Sequence, residues 1–257
     1  MTAQDDLLAF ADHEDTFWWT HAQRDLIAAL IEKFDPRAKR IAADIGCGVG
    51  GNLAIFETLG YPKLIALDLS ETALAVARRR HDRAFAVKAD IGKGLPVALD
   101  SVDTVAMLGV TCHQAIADPS AAYANAASIL APGGLFIVTD PAFSILSRAK
   151  DRRVFAARRF SVGDVERFGR SVGLEPLYVG YFTFFAFLPA LVLAAFDRIF
   201  GVVGGSAMGL ETAMPWRWLN ALLYRISAIE AKAIRAGIRF PVGVEVIGVF
   251  RKPIAGA

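Results

Sequence analysis

Residues 40–52 read Arg40-Ile41-Ala42-Ala43-Asp44-Ile45-Gly46-Cys47-Gly48-Val49-Gly50-Gly51-Asn52. An apolar run ends on a carboxylate, four glycines follow within six residues, and an apolar-periodic segment runs from Asn52 to Leu59. Strand, glycine loop and helix in that order open a parallel α/β sheet, because a parallel neighbour can start only after a crossover. The unit then repeats. Strand-like runs fall at 40–44, 64–68, 84–89, 102–108 and 135–140, with helix-like runs at 52–59, 71–81 and 119–130. Ser70 and Asp118 are N-cap residue types, Pro119 suits a first helical position, and Pro132-Gly133-Gly134 stops the last of these helices. The predicted fold class is α/β, with a Rossmann-like doubly wound sheet.

Outward from this core, residues 4–34 read as a helix. Phe10, Phe17, Trp18, Ile27, Leu30 and Ile31 recur at three- and four-residue spacing, and Asp35-Pro36 is its stop. Beyond Asp140 the texture changes. Residues 141–170 hold eight basic and three acidic side chains, a local charge of +5 that leaves −3 for the rest of the chain. A helix at 161–172 and a strand at 174–181 follow. The 21 residues between Glu175 and Asp197 carry no charge, a length that nominally crosses a bilayer. The first third alternates like a strand and Pro189 interrupts the rest, so a monotopic or core helix is expected instead. A glycine-rich break at 201–209, a helix over 215–236 and a strand at 242–250 follow. The whole reads as one domain, 1–257. It has an N-terminal helical cap (1–36), a core (37–182 and 237–252) and a helical acceptor or membrane-facing insertion (183–236).

The 257 residues carry 28 Lys+Arg against 26 Asp+Glu, 54% hydrophobic residues and a mean hydropathy of +0.41. That balance excludes disorder, collagen and a disulfide scaffold. A net charge of +2 gives no field for nucleic acid, so none is expected as partner. Cys47 and Cys112 cannot build a disulfide framework and fit a reducing compartment. The opening MTAQDDLLAF carries acids where a signal peptide needs basic residues. The expected location is cytoplasmic, with peripheral contact on the inner membrane face. His13, His21 and His81 lack metal-ligand spacing, and no metal is expected. No motif specifies an oligomeric state.

The glycine loop admits two chemistries. As G-x-G-x-x-G (Gly46, Gly48, Gly51), with Asp68 about 20 residues on as ribose acceptor, it is a dinucleotide fingerprint. As acidic-x-G-x-G-x-G (Asp44, Gly46, Gly48, Gly50), it resembles motif I of class I S-adenosylmethionine-dependent methyltransferases. Asp44 discriminates, because a carboxylate before the first glycine suits an ammonium and repels a pyrophosphate. The resemblance continues along the chain. It implies that Asp68 binds both ribose hydroxyls and that Asp90, in Ala89-Asp90-Ile91, meets the adenine amino group. The run from Leu95-Pro96 through Asp103 to Leu108 resembles the family's fourth-strand region, and Leu130-Ala131-Pro132-Gly133-Gly134-Leu135 its L-x-P-G-G-x turn. It further implies a seven-stranded sheet whose last strand runs antiparallel beside strand five. S-adenosylmethionine is the implied cofactor, with S-adenosylhomocysteine as product. Its implied contacts are Trp19, Arg24, Asp44, Gly46, Cys47, Gly48, Gly50, Asn52, Asp68, Leu69, Ala89, Asp90, Ile91 and Leu108.

A narrower resemblance lies outside that core. Phe17-Trp18-Trp19 with Arg24 resembles the F-W-W…R opening of a bacterial methyltransferase subgroup often linked to polyprenyl-lipid or envelope-glycan metabolism. Asp140-Pro141-Ala142-Phe143, Asp151 and Arg158-Arg159-Phe160-Ser161 resemble its V-P-A…D…R-R-Y-[ST] segment, and Pro241-Val242-Gly243 through Arg251-Lys252-Pro253 its ending. Two positions depart: Ala156 or Ala157 stands where a His commonly precedes the Arg pair, and Cys112-His113 replaces Glu-His. Trp18 and Trp19 suit either a cap over the sulfonium or adenine, or amphipathic packing. His113, after the fourth strand, is the candidate catalytic base or a spectator hydrogen-bonding group. Cys112 reads as a small buried residue.

On the acceptor side, Phe143 and Tyr181 are candidate pocket residues, and Arg158 and Arg159, just before a helix start at Ser161, are candidate anion ligands. Basic residues beside an apolar stretch suit an amphiphile's anionic head and tail, or an anionic lipid surface. The functional reading is methyl transfer to a hydrophobic small-molecule or lipid-linked acceptor. The attack is expected in line, with the enzyme supplying proximity, orientation and desolvation. A soluble apolar metabolite of quinone or polyketide type is the alternative acceptor. An NAD-binding oxidoreductase is the alternative of another class.

Overall fold

The computed structural model describes residues 14–35, 40–148, 151, 155–200 and 216–254. The first half of the chain holds α1 (Trp18–Phe34), β1 (Ile41–Ile45), α2 (Leu53–Thr58), β2 (Lys63–Asp68), α3 (Glu71–Arg80), β3 (Ala84–Lys88), β4 (Val102–Leu108) and α4 (Pro119–Ile129). The second half holds β5 (Leu130–Pro141), α5 (Val162–Ser171), β6 (Glu175–Phe182), α6 (Phe187–Phe200), α7 (Arg217–Arg235) and β7 (Glu245–Arg251). The strands form one sheet in the order β3-β2-β1-β4-β5-β7-β6. β1 to β5 are parallel, and β7 runs antiparallel between β5 and β6. The seven-stranded sheet and its antiparallel last strand agree with the expected fold.

The sheet divides the core into two layers because side chains alternate across a strand. Ala42, Ala66, Ala106 and Ile137 face Leu26, Ile27, Leu30 and Ile31 of α1, Phe56 of α2 and Ile234 of α7. Ala43, Val105, Met107 and Val138 face Tyr123 of α4 and Val165 of α5. Local signals set the helix starts. Ser70 accepts from Ala73 N, Asp118 accepts from Ser120 N with Pro119 behind it, and Ser161 and Asp164 form a reciprocal capping box at α5.

The antiparallel β7 has a positional consequence. Phe182, the last residue of β6, pairs with Glu245, the first of β7, and Pro141 pairs with Glu245 on the other side. The segment between β6 and β7 therefore leaves and rejoins the sheet at the edge where the parallel strands end. The uncharged stretch before Asp197 splits as expected. It gives β6, a left-handed Thr183 (φ 59°), a short 3₁₀ turn and α6. No helix among the described residues is long and apolar enough to cross a membrane.

Some boundaries differ. β5 starts at Leu130 and not 135, because Leu130 is already extended and the Pro132-Gly133-Gly134 turn is carried inside the strand. The last strand starts at Glu245 and not 242. α1 starts at Trp18, after a turn at 14–16. The earlier part of that predicted helix, with Phe10, lies outside the described residues, as do Pro36, Lys150, Arg152, Arg153, the glycine-rich break and Pro215.

Helix α5 is seated through Gly169, where an added Cβ would stand 2.2 Å from a ring carbon of the fully buried Phe250. Gly169→Ala should cost about 1–3 kcal/mol by overpacking. Urea unfolding should show a lower midpoint at unchanged slope.

Candidate active site

The parallel strands deliver a ring of polar groups to one edge of the sheet: Asp44 from β1, Asp68 from β2, the Gly109–His113 turn after β4 and Asp140 from β5. Open α/β sheets bind ligands at this edge, where the strand order reverses. Here the reversal lies between β1 and β4.

After β1 the backbone turns through Gly46 (φ 72°), Gly48 (φ 53°) and Gly50 (φ 88°), a conformation side chains rarely adopt. A Cβ on Gly46 would stand 2.4 Å from Val110, and one on Gly51 2.2 Å from Arg24 Nη2. One on Gly48 would meet nothing. The loop is thus packed against protein on most sides and open at Gly48.

Beneath it lies Asp44, 1% exposed, with neither carboxylate oxygen meeting a hydrogen-bond donor among the described residues. Burial, and then the charges of Asp68 and Glu14, push its pKa up to about 8 against the opposing pull of Arg24. Arg24 donates to Asp15 at 2.9 Å and stands 3.4 Å from Glu14, while Arg80 pairs with both acids. These two arginines and two acids clasp the outer side of the glycine loop. Cys47 is buried in the loop, and burial with the nearby carboxylates raises its thiol pKa, so it is no nucleophile.

Asp68 ends β2. Its Oδ2 accepts from Gly48 N at 2.9 Å and Oδ1 from Ser70 N at 2.8 Å, and each oxygen keeps a further lone pair. Asp90 caps a 3₁₀ turn, accepting from Gly92 N at 3.0 Å and pairing with Lys93 at 3.1 Å. The Lys93 ammonium, then the Gly92 N–H, hold its carboxyl below the usual range. Around these acids, Leu69 is 51% exposed, Ile91 is buried, and Ala89 and Leu108 are partly buried. Asn52 sits at the start of α2 without a capping bond from its side chain.

The edge after β4 and β5 is knitted to Asp140, 1% exposed. Its carboxylate accepts from the Thr111 hydroxyl and, at 2.9 Å, from Cys112 N. Burial raises its pKa to about 7 against those hydrogen bonds and the charge of Arg158. Phe143 follows, left-handed (φ 53°), stacked on Tyr181 at 4.6 Å and edge-on to Phe187 at 5.6 Å. These rings form an apolar wall beside the polar edge.

Several predicted site residues lie elsewhere or act differently. Trp19 lines a narrow cleft with Gln23, Phe182, Thr183, Ser227 and Glu230, between α1, the end of β6 and α7. Trp18 is buried against Phe17 and Phe185, at 5.8 and 5.7 Å. Arg158 donates to the carbonyls of Ile116 and Thr111. Arg159 makes a two-pronged pair with Asp151, at 2.9 and 3.1 Å, and also donates to Ala142 O. Arg159 thus braces its own loop, Arg158 holds the loop after β4 through Nη1, and the adjacent start of α5 is closed by its capping box and by Tyr181 OH. His113 is half-buried, which lowers its pKa, and its Nδ1 accepts from Ala115 N at 3.1 Å. The proton of the neutral ring then belongs on Nε2, which makes the outer nitrogen a donor and not a base.

Sequence reasoning does not single out Glu14, Asp15, Arg80 or Asp140 as site residues. Asp140 carried a usable signal, a carboxylate ending a long apolar strand. The other three are drawn in from distant parts of the chain. Among the described residues, no group of three or more His, Cys, Asp or Glu could hold a metal.

This strand order, with β7 antiparallel between β5 and β6, is the seven-stranded Rossmann-like fold of solved methyltransferases. Residues 43–138 match the family described as a methyltransferase domain. Trans-aconitate 2-methyltransferase of Acidovorax sp. (strain JS42) is 35% identical over 114 residues, covering 44% of this chain and 42% of that protein. The chain spans about two fifths of the length of the curated relatives it matches. A putative sarcosine dimethylglycine methyltransferase from Galdieria sulphuraria shares the fold at a TM-score of 0.60 and 16% identity, over 91% of this chain and 86% of its own. Geranyl diphosphate methyltransferase, solved with S-adenosylmethionine, gives 0.58 and 16%, over 90% and 84%.

The raised Asp44 pKa is also a stability statement. A proton held in the folded state up to about pH 8, against a model carboxyl value of 3.8, makes the ligand-free fold lose stability as pH rises across that window. Asp44→Asn keeps the shape without a charge to desolvate. Thermal melts of ligand-free protein should show the variant several degrees more stable at pH 8, with a smaller gain at pH 5.

Proposed function

We propose that the protein transfers a methyl group from S-adenosylmethionine to a hydrophobic or lipid-linked acceptor. The observation that carries the cofactor half is Asp44. A buried carboxylate without a donor is costly, and an ammonium at the loop supplies the missing charge and hydrogen bonds. In this reading Asp44 holds the amino-acid ammonium and Arg24 its carboxylate. The free lone pairs of Asp68 take the ribose hydroxyls, Asp90 takes the adenine amino group, and Gly48 lets the ligand approach the backbone. A dinucleotide pyrophosphate would instead meet a negative charge. When bound, the sulfonium supplies an electrophilic methyl group. The chain's own residues hold the two reactants in line and exclude water. His113 is a positioning donor at the rim.

The rings of Phe143, Tyr181 and Phe187 support an apolar acceptor. A soluble, uncharged apolar metabolite is the second reading, favoured by one observation. Arg159 is committed to Asp151 and Ala142 O, and Arg158 spends Nη1 on the carbonyls of Ile116 and Thr111, which leaves less of the pair for an anionic head group.

Calorimetry with S-adenosylhomocysteine and NAD side by side tests the class, with binding expected for the first only. Asp68→Ala should weaken S-adenosylhomocysteine by about 2 kcal/mol, ~30-fold, by removing an acceptor for two hydroxyls.

The pH dependence tests Asp44 itself. Below about pH 8 the ligand-free protein carries a proton there, which the ammonium must displace. Affinity should therefore rise with pH between 6 and 8, by up to about tenfold per unit. Asp44→Asn should bind weakly and without that slope.

A further inference from the structure

Helix α6 has little of the protein to rest on. Among its residues with described side chains only Ala194 is buried. Leu188 (68% exposed), Val192 (67%) and Ile199 (73%) stand four and seven residues apart and form one outward stripe with no polar side chain in it. The helix is fixed from behind. Arg148 pairs with Asp197 at 2.7 Å, and Phe184 N, in the turn before the helix, donates to both oxygens of buried Glu230 at 3.0 Å. The outward face is thus held in place, not loosely attached.

Helix α7 carries a second stripe. Its inner face, with Ser227, Glu230 and Ile234, is buried, while Trp218, Leu222, Arg225, Ile229 and Lys232 are all exposed at alternating four- and three-residue spacing. At 3.6 residues per turn these five share one narrow face. Within 184–200 and 216–240 every exposed charged side chain is basic, because Asp197 is paired with Arg148 and Glu230 is turned inward.

We propose that α6 and α7 dock the protein on an anionic lipid surface, with the apolar stripes in the acyl boundary and Arg225 and Lys232 at the head groups. Apolar residues flanked by basic ones are complementary to such a surface, and the exposed acids that border α7, Asp25 and Glu32 of α1, are engaged by Tyr224 and Arg235. A protein partner would need polar groups to set its orientation, roughly one hydrogen bond per 100–200 Å² of interface. The α6 stripe offers none. With 14 residues α6 is about 21 Å long, too short for the ~30 Å hydrocarbon core, so it lies on the surface and does not cross. The surface begins at the sheet edge that holds the candidate active site, so docking would bring that edge to the lipid. The inference deepens the hydrophobic-acceptor reading and rests on it only for that purpose.

The test uses the full chain and two vesicle compositions, pure phosphatidylcholine and phosphatidylcholine with about 30% phosphatidylglycerol. Sedimentation should show preferential binding to the second. Arg225→Gln with Lys232→Gln should lower partitioning to it about 30-fold, at about fivefold per charge. Val192→Asp with Ile199→Asp should abolish binding. All four positions are exposed, and S-adenosylhomocysteine binding at parental strength shows that each variant is folded. Equal partitioning to both vesicles, or an unchanged partition of the charge variant, overturns the proposal. So does a dimer in the absence of lipid that the α6 variant dissolves, which would assign the face to a second copy. Failure of vesicle binding with cofactor binding intact removes the docking surface and leaves the methyltransferase reading standing.

Discussion

Asp44 sits at the fourth position of β1, on the face of the sheet that packs against α1, and its carboxylate is out of water with no donor for either oxygen. Proteins rarely leave a charge in that state, since the usual outcome is a pair, a hydrogen bond or a shifted proton. Here the proton shift supplies a partial answer. The surroundings sharpen the problem, because Asp68 and Glu14 add negative charge and only Arg24 opposes it. Such an arrangement is stable only while other contacts hold the loop above it closed. Those contacts are the turn bonds of Gly46 and Cys47 to Leu67 O, the Gly48–Asp68 bond and the Glu14, Asp15, Arg24 and Arg80 clasp. A group that brought positive charge or hydrogen-bond donors to the loop would supply what this carboxylate lacks.

The antiparallel β7 decides where the second reactant can come from. Had the sheet ended in another parallel strand, the preceding segment would have started it from the opposite edge. Pairing Phe182 and Pro141 with Glu245 makes the chain leave β6 and enter β7 at the edge that carries Asp44 and Asp68. The aromatic wall of Phe143, Tyr181 and Phe187 is a direct result, since its rings come from the ends of β5 and β6 and the start of α6. One reversed strand thus places the apolar elements beside the polar ring of Asp44, Asp68 and Asp140.

The parts of this arrangement that were legible in the sequence are those fixed by neighbours in the chain. Strand period, glycine spacing, the caps at Ser70 and Asp118, and a carboxylate before the first glycine are all local, and all appear at or near their predicted places. What was not legible is set by partners far apart. Nothing local indicates that Arg158 will spend its donors on the carbonyls of Thr111 and Ile116, or Arg159 on Asp151 and Ala142. A basic pair beside a helix start reads equally well as an anion site. Trp19 is a related case. Helical periodicity gives a side chain its face, but whether that face meets the glycine loop or α7 depends on how the helix is docked. The net positive charge at 141–170 is likewise partly spent inside the fold, since Arg148 pairs with Asp197 and Arg159 with Asp151.

Helix α1 is what ties these parts into one body. On one flank Arg24 lies against the glycine loop, close enough to Gly51 to forbid a Cβ. Next to it, buried Gln23 donates to Thr139 at 3.2 Å and Glu245 at 3.1 Å, which fixes the helix to β5 and β7 at the same edge. On the other flank Trp18 N donates to Asn220 at 2.9 Å and Tyr224 OH donates to Asp25 at 2.5 Å, which fixes α7. Glu230 of α7 in turn holds the turn that starts α6. The chain of contacts runs from the glycine loop to the apolar face through α1, the turn after β6 and α7. Because one helix contacts both the loop and α7, the distance between the loop and the apolar face is set when the protein folds.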